Sequence, residues 1–226
     1  MPGLVDGNPD GRGGGATGTD DRSDAPHIAV LIPVKRFEHA KGRLSGLLQP
    51  AERVHLARWL AARVVAASRP HPVFVACDDD GVASWADDIG AEVLWTPGVG
   101  LNGAVDSSRE TIGGKGFTHL IVAHSDLPLA VSLGDVASPG TITIVPDGRR
   151  DGTNVLASPV VAPITASYGA SSYRAHLRQA LSLPYRVEVR RDSRLALDVD
   201  TPGDLAHPAL RTELPEWLRT ILANRR

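Results

Sequence analysis

Apolar runs and amphipathic stretches alternate along the chain from residue 27 onward. Residues 27–34 form a continuous apolar run, as expected for a strand buried on both faces of a parallel sheet. Residues 50–68 have apolar side chains at helical spacing, with Pro50 in the first turn. The same reasoning predicts strands at 72–77, 91–95, 118–123, 141–145, 154–157 and 185–189, and helices at 81–89, 102–112 and 171–181. This alternation predicts an α/β fold, with a mostly parallel sheet as the middle of three α/β/α layers.

Three acids stand where apolar runs end. The segment 195–202 (LALDVDTP) is interpreted as a strand end, on which Asp198 and Asp200, two residues apart, point to one face. Asp126 ends the run that begins at His119. Ligand sites in such sheets lie at the carboxyl ends of strands, so the three carboxylates are expected to converge on a divalent metal. Hard oxygen ligands in a site that handles phosphate favour Mg²⁺.

Asp200 has a second interpretation, because it could cap a helix that begins at Thr201 and Pro202. Capping does not explain Asp198 or Asp126. Burying either carboxylate in an apolar run would cost free energy unless a cation or hydrogen-bond donors compensated its charge. His119 and His124 flank the fourth strand and are interpreted as structural.

A basic loop follows the first strand, with Lys35, Arg36, Lys41 and Arg43 within nine residues. Lysine and arginine beside free backbone N–H groups suit a polyphosphate, although a solvated charged loop would have the same composition. Gly100, Leu101 and Asn102 open a helix whose first turn could face an anion or a ribose, or could serve only as a turn and cap.

Composition narrows the setting. The 226 residues are 42% hydrophobic with a net charge of −2, which fits one globular core and does not suggest a nucleic-acid partner. Cys77 is the sole cysteine and is expected to be a buried thiol. No membrane span or secretory signal is recognised, so a cytoplasmic location is expected. Residues 1–26, rich in glycine and aspartate, are predicted to be disordered. The catalytic domain is expected at 27–210, followed by a helical segment at 211–226 that suits packing or a homodimer contact.

An ordered set of motifs resembles a known family. The motifs are Pro33-Val34-Lys35, Lys41-x-Arg43-Leu44, Gly100-Leu101-Asn102, Ser125-Asp126-Leu127-Pro128, Gly152-Thr153-Asn154, Tyr168-Gly169-x-Ser171-Ser172 and Leu197-Asp198-x-Asp200-Thr201-Pro202. Together, over residues 28–206, they resemble the phosphoenolpyruvate and 2-phospho-L-lactate guanylyltransferases of coenzyme F420 biosynthesis.

The resemblance implies a nucleotide-diphospho-sugar transferase fold of the glycosyltransferase-A kind, in which GTP and a three-carbon phosphoacid meet over Mg²⁺. It implies metal binding by Asp126, Asp198 and Asp200, which with Lys35 form the catalytic set. It places the phosphoacid at Thr153, Gly169 and Ser172, with Ser171 competing for the serine role. Lys35, Lys41, Arg43 and Asn102 are assigned to the nucleotide.

Phosphoenolpyruvate is the favoured acid, with 2-phospho-L-lactate and 3-phospho-D-glycerate as alternatives. The resemblance also implies handover of product to the downstream transferase of the deazaflavin pathway. Two rival functions remain. Molybdopterin guanylyltransferases and sugar-phosphate cytidylyltransferases have the same fold, but they carry a glycine-rich loop after the first strand that Pro33-Val34-Lys35-Arg36-Phe37 lacks. A non-catalytic GTP-binding module would bind GTP without releasing diphosphate.

Overall fold

The computed structural model of the protein describes residues 26–225. The disorder predicted for residues 1–26 therefore falls, apart from Pro26, outside the described residues. Within them, no helix combines the length and the apolar character that crossing a membrane requires.

The described residues form seven strands and six α-helices. The strands are β1 (Ile28–Pro33), β2 (Val73–Cys77), β3 (Glu92–Trp95), β4 (His119–Ala123), β5 (Thr141–Pro146), β6 (Thr153–Pro159) and β7 (Arg186–Val189). The helices are α1 (Pro50–Ser68), α2 (Asp80–Asp88), α3 (Gly100–Gly114), α4 (Ser172–Leu181), α5 (Pro202–Leu205) and α6 (Glu216–Asn224). The predicted strands and helices are confirmed to within two residues at each end, except the strand proposed near residue 195.

The strands form one sheet in the order β3-β2-β1-β4-β6-β5-β7. The first four are mutually parallel, as are β5 and β7, while β6 runs antiparallel to β4 and β5. The mostly parallel sheet is thus confirmed. Along the chain, β1 is followed by β2 and β3 on one side, and the chain then crosses to β4 on the other side. The crevice between β1 and β4 is therefore a topological switch point, where ligands bind in open α/β sheets.

Helices cover both faces of the sheet. On one face, Val30 and Ile32 of β1 pack in a core that includes residues of α1 and α2. On the other face, Ala29 and Leu31 pack with residues of α3, and neighbouring residues of β5 and β6 pack with α4. All four of these β1 side chains are fully buried, and each large one stabilises the fold by about 1.5–3 kcal/mol. The predicted three-layer arrangement is confirmed.

The C-terminal segment packs on the outer side of α1. Leu214 and Leu218 are buried in a cluster with Leu56 and Leu60 of α1. Arg225 donates to the Glu52 carboxylate at 2.8 and 3.0 Å, which ties the end of α6 to the start of α1. The homodimer contact suggested for this segment remains a prediction.

The strand predicted to end at Asp198 and Asp200 is wrong. Residues 193–195 form a turn, residue 196 a bend, and residues 197–200 have no regular secondary structure. The Asp192 carboxylate accepts from the backbone N–H groups of Arg194 and Leu195 at 2.9 and 3.2 Å, which favours a turn over extension. The Val199 N–H then donates to the carbonyl of Asp126 at 3.1 Å, so the segment is held against the loop that follows β4.

Candidate active site

Two adjoining cavities open at the carboxyl ends of the parallel strands. The β2-side cavity, of about 320 Å³, is lined by Ala76, Cys77 and Asp78 at the end of β2 and by the start of α3. The β4-side cavity, of about 550 Å³, is lined by the basic loop together with Asp126 and Asp200. Both cavities share Pro33, Val34, Lys35, His39 and Leu101 as lining residues. The two therefore form one groove across the β1/β4 switch point.

The basic loop places its cations at different points along this groove. Lys35 is exposed and lines both cavities. Arg36 forms an ion pair with Asp79 at 2.9 Å, and Asp79 also caps α2, so this pair ties the loop to α2. Lys41 and Arg43 both line the β4-side cavity. Clustered positive charge at the end of a buried strand suits a polyphosphate, as the sequence predicts.

Lys41 is the most constrained of the four cations. Its backbone is in the left-handed region, with a φ of 57°, and only 9% of its side chain is exposed. Its Nζ lies 2.7 Å from Oδ2 of Asp126. Burial acts to raise the pKa of Asp126, but the charges of Lys41 and His124 outweigh it, and the pKa falls below its usual range. Asp126 is therefore ionised at neutral pH.

The three predicted acids occupy different environments. Burial and the negative charge of Asp126 raise the pKa of Asp198, although the Asn154 amide lies 3.5 Å away and opposes that rise. Asp200 instead faces Arg43, with an oxygen to nitrogen distance of 2.5 Å in an exposed pair. Within residues 26–225, no three His, Cys, Asp or Glu side chains lie close enough together to hold a metal ion.

The chemistry of Asp126 and Asp198 nevertheless fits a divalent cation. The Oδ1 atom of Asp126 is buried and has no hydrogen-bond partner in the described part of the chain. The negative charge of Asp126 also raises the pKa of Asp198, so the two carboxylates repel each other. A hard cation with oxygen ligands would satisfy both groups. Asp200 would join such a site only after leaving Arg43.

The residues assigned to the phosphoacid come together at the start of β6 and α4. Thr153 and Ser172 are buried, and the Thr153 N–H donates to the Ser172 hydroxyl at 3.0 Å. Ser171 is held elsewhere, because its hydroxyl donates to Asp151 at 3.2 Å. Gly169 has a φ of 128°, and a Cβ built on it would meet no atom within 4 Å. Space is therefore open beside the Gly169 backbone, whereas the Thr153 and Ser172 side chains are buried.

The side chain of Asn102, the fourth residue assigned to the nucleotide, is engaged by the main chain of Tyr168. Its Nδ2 donates to the carbonyl of Tyr168 at 3.2 Å, and its Oδ1 accepts from the Tyr168 N–H at 2.7 Å. It lies in the first turn of α3 beside Leu101, which lines both cavities.

Sequence reasoning missed two residues of the groove. The sequence indicates only a structural role for His124, but this residue lines the β4-side cavity, and its buried Nε2 has no partner within residues 26–225. Asp78 lines the β2-side cavity directly after β2. The rule that located Asp126, a polar residue just beyond a buried strand, would have found Asp78 as well. The expected burial of the Cys77 thiol is confirmed.

Solved structures share this fold. A candidate nucleotide-diphospho-sugar transferase from Desulfovibrio desulfuricans G20 superposes with a TM-score of 0.66 at 15% identity, covering 88% of this chain and 94% of that one. A nucleotidyl transferase from Methanothermobacter superposes with a TM-score of 0.57 at 15% identity, covering 86% and 99%. The predicted nucleotide-diphospho-sugar transferase fold is confirmed.

Relatives at higher identity carry a narrower description. The phosphoenolpyruvate guanylyltransferase of Rubrobacter xylanophilus is 34% identical over 188 residues, covering 79% of this chain and 92% of the relative. The 2-phospho-L-lactate guanylyltransferase of Methanothermobacter thermautotrophicus is 33% identical over 205 residues, covering 85% and 90%. The model of the family described as guanylyl transferase CofC like matches residues 28–221, and the chain therefore belongs to this guanylyltransferase family.

Proposed function

We propose that the chain transfers the guanylyl group of GTP to phosphoenolpyruvate in coenzyme F420 biosynthesis. A phosphate oxygen of phosphoenolpyruvate attacks the α-phosphorus of GTP and forms a new P–O bond. The bond from the α-phosphorus to the bridging oxygen breaks, and its electron pair leaves with diphosphate. The products are enolpyruvyl-2-diphospho-5'-guanosine and diphosphate. The observation that carries this proposal is the continuous groove in which a nucleoside-sized cavity adjoins one lined by cations and acids.

The basic loop would neutralise the phosphates. The attacking phosphate is already an anion, so no general base is needed, and catalysis consists of aligning two anions and offsetting their charge. Lys35 lies between the cavities and suits the α-phosphate, while Lys41 and Arg43 in the β4-side cavity suit the leaving diphosphate. Asp126 and Asp198 would hold Mg²⁺, joined by Asp200, and such an ion would supply positive charge to stabilise the transferring phosphate.

The β2-side cavity would hold the guanosine. It lies away from the three acids and is lined in part by Ala76, Cys77 and Ala104. Asp78 supplies a carboxylate, whose two oxygens match the adjacent N–H groups of guanine and find no such pair on adenine. This arrangement would favour GTP over ATP.

The phosphoacid would sit at the start of α4. The Gly169 backbone faces open space, and glycine there admits close approach of a phosphate to the main chain. Thr153 and Ser172 would complete this subsite from the β6 side. The same strand brings the next residue, Asn154, to Asp198, so the phosphoacid and metal subsites share β6.

2-Phospho-L-lactate is the second candidate acid, because the Methanothermobacter relative is named for it. Phosphoenolpyruvate is favoured because several of the most similar relatives are named for that acid. The pathway and the reaction suit a cytoplasmic enzyme. They also suit handover of the product to the downstream phosphoacid transferase.

Diphosphate release by the purified protein with Mg²⁺ tests the proposal. GTP is offered with phosphoenolpyruvate, 2-phospho-L-lactate or 3-phosphoglycerate, and ATP and CTP serve as nucleotide controls. We expect release with GTP and phosphoenolpyruvate. Release with only another acid would change the substrate, and GTP binding without release from any acid would favour the non-catalytic module.

A further inference from the structure

The loop between β6 and α4, residues Thr165–Ser171, is held by side chains at almost every backbone N–H. Five backbone N–H groups of the loop donate to side chains. These hydrogen bonds run from Thr165 to Gln179 (2.9 Å), from Ala166 to Asp106 (2.9 Å), from Ser167 to His176 (3.0 Å), from Tyr168 to Asn102 (2.7 Å) and from Ser171 to Asp151 (3.2 Å). Within residues 26–225, the N–H groups of Gly169 and Ala170 have no such partner. We call this segment the Tyr168 loop. Its two unengaged donors are adjacent in sequence and lie where the phosphoacid is proposed to bind.

Helix α3 holds the loop from the nucleotide side. Asn102 and Asp106 are one turn apart, so they project from the same face of the helix. The Asn102 amide makes two hydrogen bonds to the Tyr168 backbone, and Asp106 makes one to Ala166. On the same helix, Gly100, Leu101 and Ala104 line the β2-side cavity. Helix α3 therefore both borders the β2-side cavity and fixes the loop that carries Gly169.

Helix α4 holds the loop from the opposite side. The Nε2 of His176 accepts the Ser167 N–H, so its imidazole proton lies on Nδ1, which faces the Thr153 hydroxyl at 3.0 Å. The ring of Tyr168 lies 4.8 Å from that of His176 and 5.2 Å from that of His124. The loop is thus fixed between two helices before any ligand binds, and a fixed loop loses less conformational freedom on binding.

We propose that Asn102 and Asp106 are positioning residues for the phosphoacid: they hold the Tyr168 loop so that the Gly169 and Ala170 N–H groups are aimed together at its phosphate. This inference rests on the proposed function, which places the phosphoacid at Gly169. It reassigns Asn102 from a nucleotide ligand to a residue that acts through the loop. Two main-chain donors, one on a glycine at positive φ, are a recurrent way to bind phosphate.

Steady-state kinetics of Asn102→Ala and Asp106→Ala test this role. Each variant should raise KM for phosphoenolpyruvate, by about tenfold for Asn102→Ala, which loses two hydrogen bonds, and somewhat less for Asp106→Ala. KM for GTP should stay within about twofold, since neither side chain is proposed to touch it. Asp106→Asn keeps an oxygen acceptor for Ala166 and should restore the KM for phosphoenolpyruvate. Glu110→Ala, an exposed position on the same helix, is the matched control for both constants.

The outcomes separate this inference from the function on which it rests. A rise in KM for GTP with an unchanged KM for phosphoenolpyruvate would identify Asn102 as a nucleotide ligand and overturn the inference. Unchanged constants for both substrates would overturn it as well. A wild-type protein that neither turns over nor binds the acids would overturn the proposed function and this inference with it. If Asn102→Ala does not fold, Asn102→Asp, which keeps the Tyr168 N–H bond, and Asp106→Ala decide the question by the same constants.

Discussion

Replacing Lys41 with methionine tests whether the Lys41 ammonium group compensates the buried charge of Asp126. The change keeps a long apolar stem and removes the ammonium group that lies 2.7 Å from Asp126. Asp126 then keeps one oxygen for which residues 26–225 supply no hydrogen-bond partner, and it loses the cation on the other oxygen. The buried charge would be uncompensated, so the folded protein without metal should be less stable.

The loss can be estimated from the burial of the pair. Removing one partner of a buried ion pair costs about 3–5 kcal/mol, and the 22% exposure of the Asp126 side chain favours the lower end, about 3 kcal/mol. For a chain of this size, a loss of about 3 kcal/mol lowers the melting temperature by about 6–12 °C. Lys35→Met removes an exposed lysine for which no ion pair occurs among residues 26–225, and should change stability by less than about 0.5 kcal/mol.

Magnesium should reverse part of this loss. If a divalent cation binds Asp126 and Asp198, it takes the electrostatic place of Lys41 at Asp126. Thermal unfolding with and without millimolar Mg²⁺ should therefore show a larger stabilisation for Lys41→Met than for the wild type or Lys35→Met. An equal effect of Mg²⁺ on all three proteins, or no loss of stability in Lys41→Met, would show that Lys41 does not compensate the charge of Asp126.

Three further predictions follow from single groups. Asp198→Asn should melt within a few degrees of the wild type, because burial and Asp126 already raise the pKa of Asp198, yet it should lose diphosphate release by about 100-fold or more; a normal rate would remove Asp198 from the site. Asp78→Asn should narrow the preference for GTP over ATP in kcat/KM, and an unchanged ratio would place base recognition elsewhere. Burial, with the charges of His124 and Arg109, lowers the pKa of His176 to about 4. Between pH 6.5 and pH 4 the unfolded chain binds a proton at His176 that the folded chain does not. The free energy of unfolding is therefore highest above pH 6.5 and falls, by about 3 kcal/mol at most, as the pH falls toward 4. His176→Asn should flatten the decline of unfolding free energy between those pH values in urea titrations, whereas an identical decline would contradict the assignment.

Much of the fold could be predicted from hydrophobic patterning. The apolar run 27–34 and the helical spacing of apolar residues in 50–68 locate β1 and α1 to within two residues. They do so because the buried side chains of each element follow a pattern that is typical of that element. Strand direction could not be predicted in the same way. Nothing in the apolar run near 154 indicates that β6 pairs antiparallel with β4 and β5, since a buried strand looks alike in either direction.

The site was predicted in part. Placing acids and cations at strand ends located Lys35, Lys41 and Asp126 along one groove. The interpretation of Asp198 and Asp200 as two positions on one strand failed, because Asp192 turns the backbone and Val199 bonds to the loop after β4. Side-chain contacts between distant segments, such as Asn102 with Tyr168, depend on tertiary packing and leave no local signal in the sequence.

Isotope tracing shows whether the phosphate of phosphoenolpyruvate attacks the α-phosphorus of GTP. Phosphoenolpyruvate labelled with ¹⁸O in its phosphate is mixed with GTP, Mg²⁺ and the enzyme, and the products are followed by ³¹P NMR. Attack by that phosphate on the α-phosphorus predicts that all of the label stays in the guanylylated acid, with part of it in the new bridge, and that diphosphate is unlabelled. Label in diphosphate, or conversion of GTP to GMP without a guanylylated acid, would contradict guanylyl transfer by this chain.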